Sequence, residues 1–302
     1  AENIANYLSE VVLEGKISFS ITNGNKILPI QVKKLLKNMG RSARFVEIKN
    51  SASVLFNGLM TDRTDLTIID NEIFITEAIQ PFEEFSRRDF GRPAADNFSG
   101  MLPPKLARIM INLSGADTDA SLLDPHCGSG TILTEAAEMG FQNIIGTDIS
   151  PKAISDTTMN LTWLEKELQI TTNKKVFQCD VRKIHEALGK NSIDCVVTEP
   201  YLGVPLHGNE RTDTIEKEVK KLSTLYSEGL DSLAKILKDK GTIIMIIPKF
   251  KISDSSWIEI DVGKILPNSL KLFPWSENQE HLSYFRPDQK LARLIYRFKK
   301  TG

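Results

Sequence analysis

The chain has 302 residues, 41% of them hydrophobic and 25% charged, with 38 Lys and Arg against 39 Asp and Glu. That length exceeds one ordinary core and suits two domains, and the composition is that of a soluble globular protein. No apolar run reaches the roughly 18–20 residues of a bilayer helix, no signal-peptide pattern opens the chain, and a net charge of −1 neither demands nor excludes a nucleic acid.

The first ninety residues alternate helix and strand patterns. Asn3 to Glu14 reads as a helix and KISFSI (16–21) alternates as a strand. PIQVKKLLKNMG (29–40) is an amphipathic helix with proline in its first turn and glycine at its end. RFVEI (44–48) is a strand, SASVLFNGLM (51–60) a short helix or turn, and DLTIID with EIFITEAIQ a hairpin turning at Asn71. This small α+β module, residues 1–80, carries its basic residues in one stretch: Lys33, Lys34, Lys37, Arg41, Arg44 and Lys49. Taken alone, such a run also describes a solvated helix face. The chain begins at Ala1 and enters regular structure at once, so it is expected to be a trimmed portion of a longer protein.

Residues 81–98, rich in Pro, Gly and charge, are expected to form a linker, with Arg87, Arg88 and Arg92 close together. KLARIMINLSG is a helix closed by Gly115. From Ser121 the pattern changes. SLLDPHC, NIIGTDIS, KKVFQCD, SIDCVVTEP and GTIIMIIP are short apolar strands separated by helical or loop segments, and ARLIYRF (292–298) is a last strand. Strand–helix alternation at this spacing predicts a doubly wound, mostly parallel sheet over residues 99–302. The charged stretch HGNERTDTIEKEVKK (207–221) reads as a solvated insertion, and HLSYFRPDQK (281–290) as a border of the site.

In an open α/β sheet, ligands sit outside the carboxyl ends of the strands. The first strand ends in Asp124-Pro125-His126-Cys127-Gly128-Ser129-Gly130-Thr131, the second in Asp148, the third in Asp180 and the fourth in Glu199-Pro200-Tyr201. The two glycines allow close backbone approach ahead of a helix N-terminus, and Asp148 follows Gly128 at the distance at which an acid meets a ribose hydroxyl. A dinucleotide site is disfavoured: the third glycine is missing, and Asp124 would repel a pyrophosphate. The acid suits a ligand with an ammonium group and no phosphate, as in S-adenosyl-L-methionine. Each acid alone is also an ordinary loop or helix-capping residue, but four at successive strand ends are harder to explain that way. The three cysteines (Cys127, Cys179 and Cys195) form no CxxC pair, so no metal is expected, and they suit a reducing, cytoplasmic setting.

DPHCGSGTILTEAA is similar to the D-P-[FM]-C-G-S-G-T segment of amino-methyltransferases, with His126 in place of Phe or Met. The run SRRDFGRP…GMLPPKLARIMINLSG, with the module before it, resembles the THUMP-domain tRNA guanine-N2 methyltransferases acting at tRNA position 10. The resemblance covers nearly the whole chain and is most specific over residues 87–131. It implies a Rossmann-like class I methyltransferase domain preceded by a THUMP-like RNA-binding module. It also implies S-adenosyl-L-methionine bound by Met101, Leu102, Pro103, Asp124, His126, Cys127, Gly128, Ser129, Gly130, Thr131, Asp148, Ile149, Asp180 and Val181. Transfer RNA would be held by Lys33, Lys34, Lys37, Arg41, Arg44, Arg87, Arg88 and Arg92; some relatives need a small activating subunit.

The family's fourth-strand motif is [DN]-P-P-[YF], usually followed by Gly; here Glu199-Pro200-Tyr201-Leu202-Gly203 stands in its place. A carboxylate and the carbonyl of Pro200 can accept the two hydrogens of an exocyclic amine and direct its lone pair at a methyl donor. Tyr201 is placed to stack on the base. Two other readings stay open: a DNA adenine-N6 methyltransferase, and a tRNA-binding protein whose methyltransferase fold is vestigial.

Overall fold

The computed structural model describes residues 1–94, 101–206, 208, 210–253, 256–286 and 289–301. The chain divides into two compact units, Ala1–Phe82 and Glu83–Gly302.

The first unit contains α1 (Glu2–Val11), β1 (Ile17–Thr22), α2 (Leu28–Asn38), β2 (Ala43–Phe45), α3 (Ser51–Phe56), β3 (Asp65–Ile69) and β4 (Glu72–Ile75). Its sheet runs β2-β1-β3-β4, with β1 parallel to both neighbours. The β3–β4 hairpin turns on Asp70 and Asn71, both at positive φ, as a two-residue hairpin loop requires. Apolar residues at helical spacing on α1 and α2 (Ile4, Leu8, Val32, Leu36) pack on the alternate strand residues Ile17, Phe19 and Leu66. Lys33, Lys34, Lys37, Arg44 and Lys49 are exposed. Arg41 is different: its guanidinium donates to the carbonyls of Ser9 (3.3 Å) and Val12 at the end of α1. It is committed to a helix C-terminus, which corrects its assignment as a phosphate contact.

The second unit begins with α4 (Phe82–Phe90), where sequence reading expected a linker. The helix forms because Phe85 and Arg88 share a face that becomes buried. Three cations, Arg88, Lys105 and Arg108, lie 4.9–5.6 Å from the centre of the Phe85 ring. Arg88 is 3% exposed and donates from Nε to Glu135 at 2.6 Å. Arg92 is 5% exposed and donates to Thr131 Oγ1 (2.6 Å) and Met101 Sδ (2.7 Å). Neither can meet a phosphate, so both leave the RNA-binding set. Arg87 stays half-exposed, 3.4 Å from Glu167.

Then follow α5 (Pro104–Ser114), β5 (Ser121–Asp124), α6 (Thr131–Glu138), β6 (Asn143–Asp148), α7 (Pro151–Leu168), β7 (Asn173–Gln178), α8 (Ile184–Ala187), β8 (Ile193–Thr198), α9 (Thr212–Ile236), β9 (Leu237–Lys251), β10 (Trp257–Glu259), α10 (Val262–Ile265), β11 (Leu270–Leu272), β12 (His281–Tyr284) and β13 (Leu291–Lys300). Proline in the first turn starts α5 and α7, and Gly115 in the left-handed conformation ends α5. Among the described residues the sheet has nine strands, in the order β11-β13-β9-β8-β5-β6-β7, with β10 beside β9 and β12 beside β13. The five strands β5 to β9 are parallel and β13 is antiparallel. Strand residues alternate between two covers. Leu122, Cys195, Val197 and Ile244 meet α5, α6 and α7; Leu123, Val196, Ile243 and Met245 meet α8 and α9.

The chain winds outward from β5 through β6 and β7, then returns to β8 on the other side. That reversal opens a crevice between β5 and β8 at their carboxyl ends. The segment read as a solvated insertion instead enters α9, a 25-residue helix. Ile215, Leu222, Tyr226, Leu230 and Leu233 recur on its buried face, and the charges between them sit on the other. His207 lies outside the described residues.

Candidate active site

A cavity of about 720 Å³ fills the crevice. Pro125 ends β5, and the loop after it turns tightly: Cys127 N–H donates to Thr147 O (2.9 Å) and Gly130 N–H to Cys127 O (2.7 Å). Gly128 and Gly130 hold φ of 52° and 84°, which other residues adopt at a cost. At Gly130 an added Cβ would also press on Thr157 at 3.1 Å, whereas at Gly128 it would meet open space. The loop rests on α7, where Thr157 Oγ1 donates to Gly128 O (2.9 Å) and Asn160 donates to Ser129 O and Ala94 O (2.7 Å each). Asn160 thus ties the loop to Ala94, which follows α4 in the chain, a role its position in the sequence did not suggest.

Three carboxylates stand at successive strand ends. Asp148 accepts from Gly128 N–H (3.0 Å) and Ser150 N–H (2.9 Å), which fixes its orientation. Asp180 accepts from Arg182 N–H (3.0 Å) and from its guanidinium, and that arginine holds its carboxyl below the usual range. Asp124 is 2% exposed, and burial pushes its carboxyl up to about 7 against hydrogen bonds from Thr198 Oγ1 (2.8 Å) and His126 N–H (3.2 Å). Thr198 has one hydroxyl proton. When Asp124 is ionised that proton goes to Asp124, so Thr198 accepts from His126 Nδ1 at 3.3 Å, and Nδ1 carries the hydrogen. Burial lowers the imidazole to about 4, so the ring is neutral. Burial also pushes the Cys127 thiol well up, which excludes it as a nucleophile.

Across the crevice, Glu199 follows β8 directly. Its Oε1 accepts from Arg293 Nε at 2.5 Å, and the two side chains are only 13% and 11% exposed. Burial raises the Glu199 carboxyl even so, with Arg293 opposing. Tyr226 of α9 donates its hydroxyl to Tyr201 O (2.7 Å), pinning the turn, while the Tyr201 ring is 53% exposed at the mouth.

The cavity gathers Met101, Leu102, Asp124, His126, Cys127, Gly128, Ser129, Thr131, Asp148, Ile149, Asp180, Val181, Glu199, Pro200 and Tyr201. Pro103 and Gly130 do not line it: they are the residues immediately before α5 and α6. Ser150, Lys152 and Arg182 line it without having been singled out from sequence.

Residues 92–256 match the family described as "UPF0020: RMKL-like, methyltransferase domain". The chain belongs to this methyltransferase family. A tRNA (guanine(10)-N2)-dimethyltransferase of Methanothermobacter thermautotrophicus is 33% identical over 153 residues, 51% of this chain and 40% of the relative. This chain therefore spans less than half the length of that protein. A "Probable tRNA (guanine(10)-N2)-dimethyltransferase" of Methanothermococcus thermolithotrophicus is 34% identical over 197 residues, 65% of this chain and 99% of the relative. The fold is shared with TrmN from Thermus thermophilus, at a TM-score of 0.53 and 15% identity over 99% of this chain and 77% of that one.

The lining fits S-adenosyl-L-methionine, the methyl donor of such a methyltransferase domain. It combines carboxylates for cationic and hydroxyl groups with apolar walls from Met101, Leu102, Ile149 and Val181, and the backbone at Gly128 is open to close approach.

Proposed function

We propose that this chain transfers a methyl group to the exocyclic N2 amine of guanosine in tRNA, at position 10. The observation that carries this reading is that Asp124 and Glu199, at the ends of the neighbouring strands β5 and β8, line one cavity, a donor site beside an amine acceptor. Asp124 would hold the cofactor's ammonium, Asp148 its ribose hydroxyls and Asp180 its adenine amine. When bound, S-adenosyl-L-methionine supplies an electrophilic methyl on a positive sulfonium.

The chain's own residues act on the amine. Its lone pair is conjugated with the guanine ring and is a poor nucleophile. The Glu199 carboxylate and the Pro200 carbonyl accept its two hydrogens, holding the nitrogen with its lone pair aimed away from the ring plane. As the nitrogen gains a bond it gains positive charge, which Glu199 stabilises, and one of its protons becomes acidic enough to pass late to the Glu199 carboxylate. Tyr201, exposed at the mouth, supplies a face for the base.

The first unit serves as the THUMP-like RNA-binding module, residues 1–80, with Lys33, Lys34, Lys37 and Arg44 on the phosphates. Support comes from their exposure in a chain with almost no net charge. Incubation of the chain with labelled cofactor and bulk tRNA, followed by digestion to nucleosides, is expected to yield methylated guanosine at N2. Label in adenine of DNA would instead favour the adenine-N6 reading, and cofactor binding without transfer a vestigial site. Reversing Lys33, Lys34 and Lys37 together should weaken tRNA binding and flatten the log–log salt slope by about one per lysine. An unchanged slope would leave α2 as a merely solvated helix.

A second expectation follows from Asp124. Its folded value of about 7 lies above the ordinary carboxylate value, so it favours the fold fully at low pH and loses that contribution as pH rises through about 7. An arriving ammonium requires the ionised form. Cofactor binding at about pH 6 should therefore release most of one proton, and at about pH 8.5 almost none. Calorimetry in buffers of different ionisation enthalpy reads that proton directly. His126, neutral throughout this range, does not contribute. Equal proton release in an Asp124→Asn variant would refute the assignment.

A further inference from the structure

Glu199 has a partner that the motif does not contain. Arg293 lies on β13, and β9 separates that strand from β8. Arg293 is registered against Pro248 of β9 and Tyr284 of β12, and it reaches past β9 to Glu199. Two strand spacings amount to about 9–10 Å, which two long side chains can bridge. Shortening Glu to Asp would withdraw the carboxylate by about 1.3–1.5 Å and open the contact. The longer side chain at position 199 and the arginine on β13 thus belong together.

Arg293 does not line the cavity, whereas Glu199 does. Among the described residues, the other titratable groups that interact with Glu199 are Asp124 at the end of β5 and Tyr226 on α9. The intervening β9 residues Met245, Ile246, Ile247 and Pro248 are all uncharged. The described surroundings therefore add negative or neutral groups to a buried carboxyl, and Arg293 is the cation that opposes them.

We propose that Arg293 is a positioning residue that holds Glu199 as an oriented anion, so that the cavity presents a pure hydrogen-bond acceptor to the target base. An anionic acceptor selects a base edge with adjacent N–H donors. Guanine offers N1–H beside its N2 amine; adenine offers an amine beside the bare acceptor N1, which a carboxylate repels. A protonated Glu199 would donate one hydrogen and lose that discrimination. The choice of base rests on the function proposed above; the pairing of Arg293 with Glu199 does not.

Carbon-13 carboxyl NMR of the chain, with the Glu199 signal assigned by Glu199→Gln, tests the pairing without any reaction. In Arg293→Met the Glu199 titration should move to higher pH by more than one unit, while Arg293→Lys should titrate near the wild type. Single-turnover methyl transfer should show its acid limb displaced upward by the same interval in Arg293→Met. At pH 7 the rate should fall about ten-fold or more, with KM for the cofactor little changed. The double variant Glu199→Gln/Arg293→Met removes both charges and so guards against misfolding. Adding Arg293→Met to Glu199→Gln should then cost no further rate. Coincident Glu199 titrations in wild type and Arg293→Met, or additive rate losses in the double variant, overturn the proposal. If the titration moves as expected but the wild type methylates no guanosine, the reading of the substrate fails and the pairing stands.

Discussion

Glu135→Ala is expected to destabilise the second unit by about 3–5 kcal/mol, the cost of breaking a buried ion pair by removing one partner. Glu135 on α6 is wholly buried and accepts from Arg88 Nε at 2.6 Å and Nη2 at 3.4 Å. Arg108 Nε sits 3.2 Å from its second oxygen, within ion-pair distance though outside hydrogen-bond geometry. Glu138 completes the group, 3.6 Å from Arg88 Nη1 and in contact with Arg108. The four charges balance. Without Glu135, two guanidinium groups face one carboxylate, and Arg88, with a side chain only 2% exposed, cannot turn to water. For a unit of this size each kcal/mol lowers the melting temperature by about 2–4 °C, so thermal unfolding reads the effect easily. Replacing Arg88 and Glu135 together by apolar residues of similar volume should recover most of the loss. A single variant that melts with the wild type would mean the pair is already solvated and α4 loosely held.

That cluster also marks where the sequence is hard to read. A charged run with arginines, flanked by Pro81 and by Gly91 and Pro93, has the composition of a linker, and nothing local says that Glu135, 47 residues on from Arg88, is waiting for it. Arg293 is the stronger case: it meets Glu199 across 94 residues and an intervening strand. Acids placed at strand ends are visible from spacing, which is why Asp124, Asp148, Asp180 and Glu199, all of which line the cavity, can be picked out without coordinates, whereas their distant partners cannot. The strand pattern succeeds for the same reason. β5, β6, β8 and β9 carry buried residues on both faces and so show short stretches of consecutive apolar residues rather than strict alternation. The short strands β10, β11 and β12 have three or four residues each and leave no period to detect. In α9 the apolar period is present, but its first half is sparse, with charges outnumbering the buried residues, so a reading that stops at Lys221 sees only solvent.

Glu199→Gln is expected to leave cofactor affinity nearly intact and to lower the transfer rate about a hundred- to a thousand-fold. Gln keeps the shape and one acceptor oxygen, but it loses the negative charge opposite the amine as that nitrogen becomes positive. Deleting one preorganised electrostatic partner typically costs roughly 2.7–4 kcal/mol of barrier, which is that range of rates. The environment argues for the upper part. Glu199 is 13% exposed, so water cannot replace the lost charge, and the substitution leaves Arg293 without its carboxylate in the same buried space. Glu199→Asp separates reach from charge. It restores the family's residue, yet the retreat of about 1.3–1.5 Å gives up both Arg293 and the position from which the amine is met. If the strand end has adapted to glutamate, Asp should be slowed at least ten-fold, and combining it with Arg293→Met should cost little more, because the contact is already lost. Single-turnover rates at saturating cofactor separate these effects from binding. Equal rates for Glu, Asp and Gln would make Glu199 a turn residue paired to the β13 arginine for stability alone, with the amine held elsewhere in the cavity.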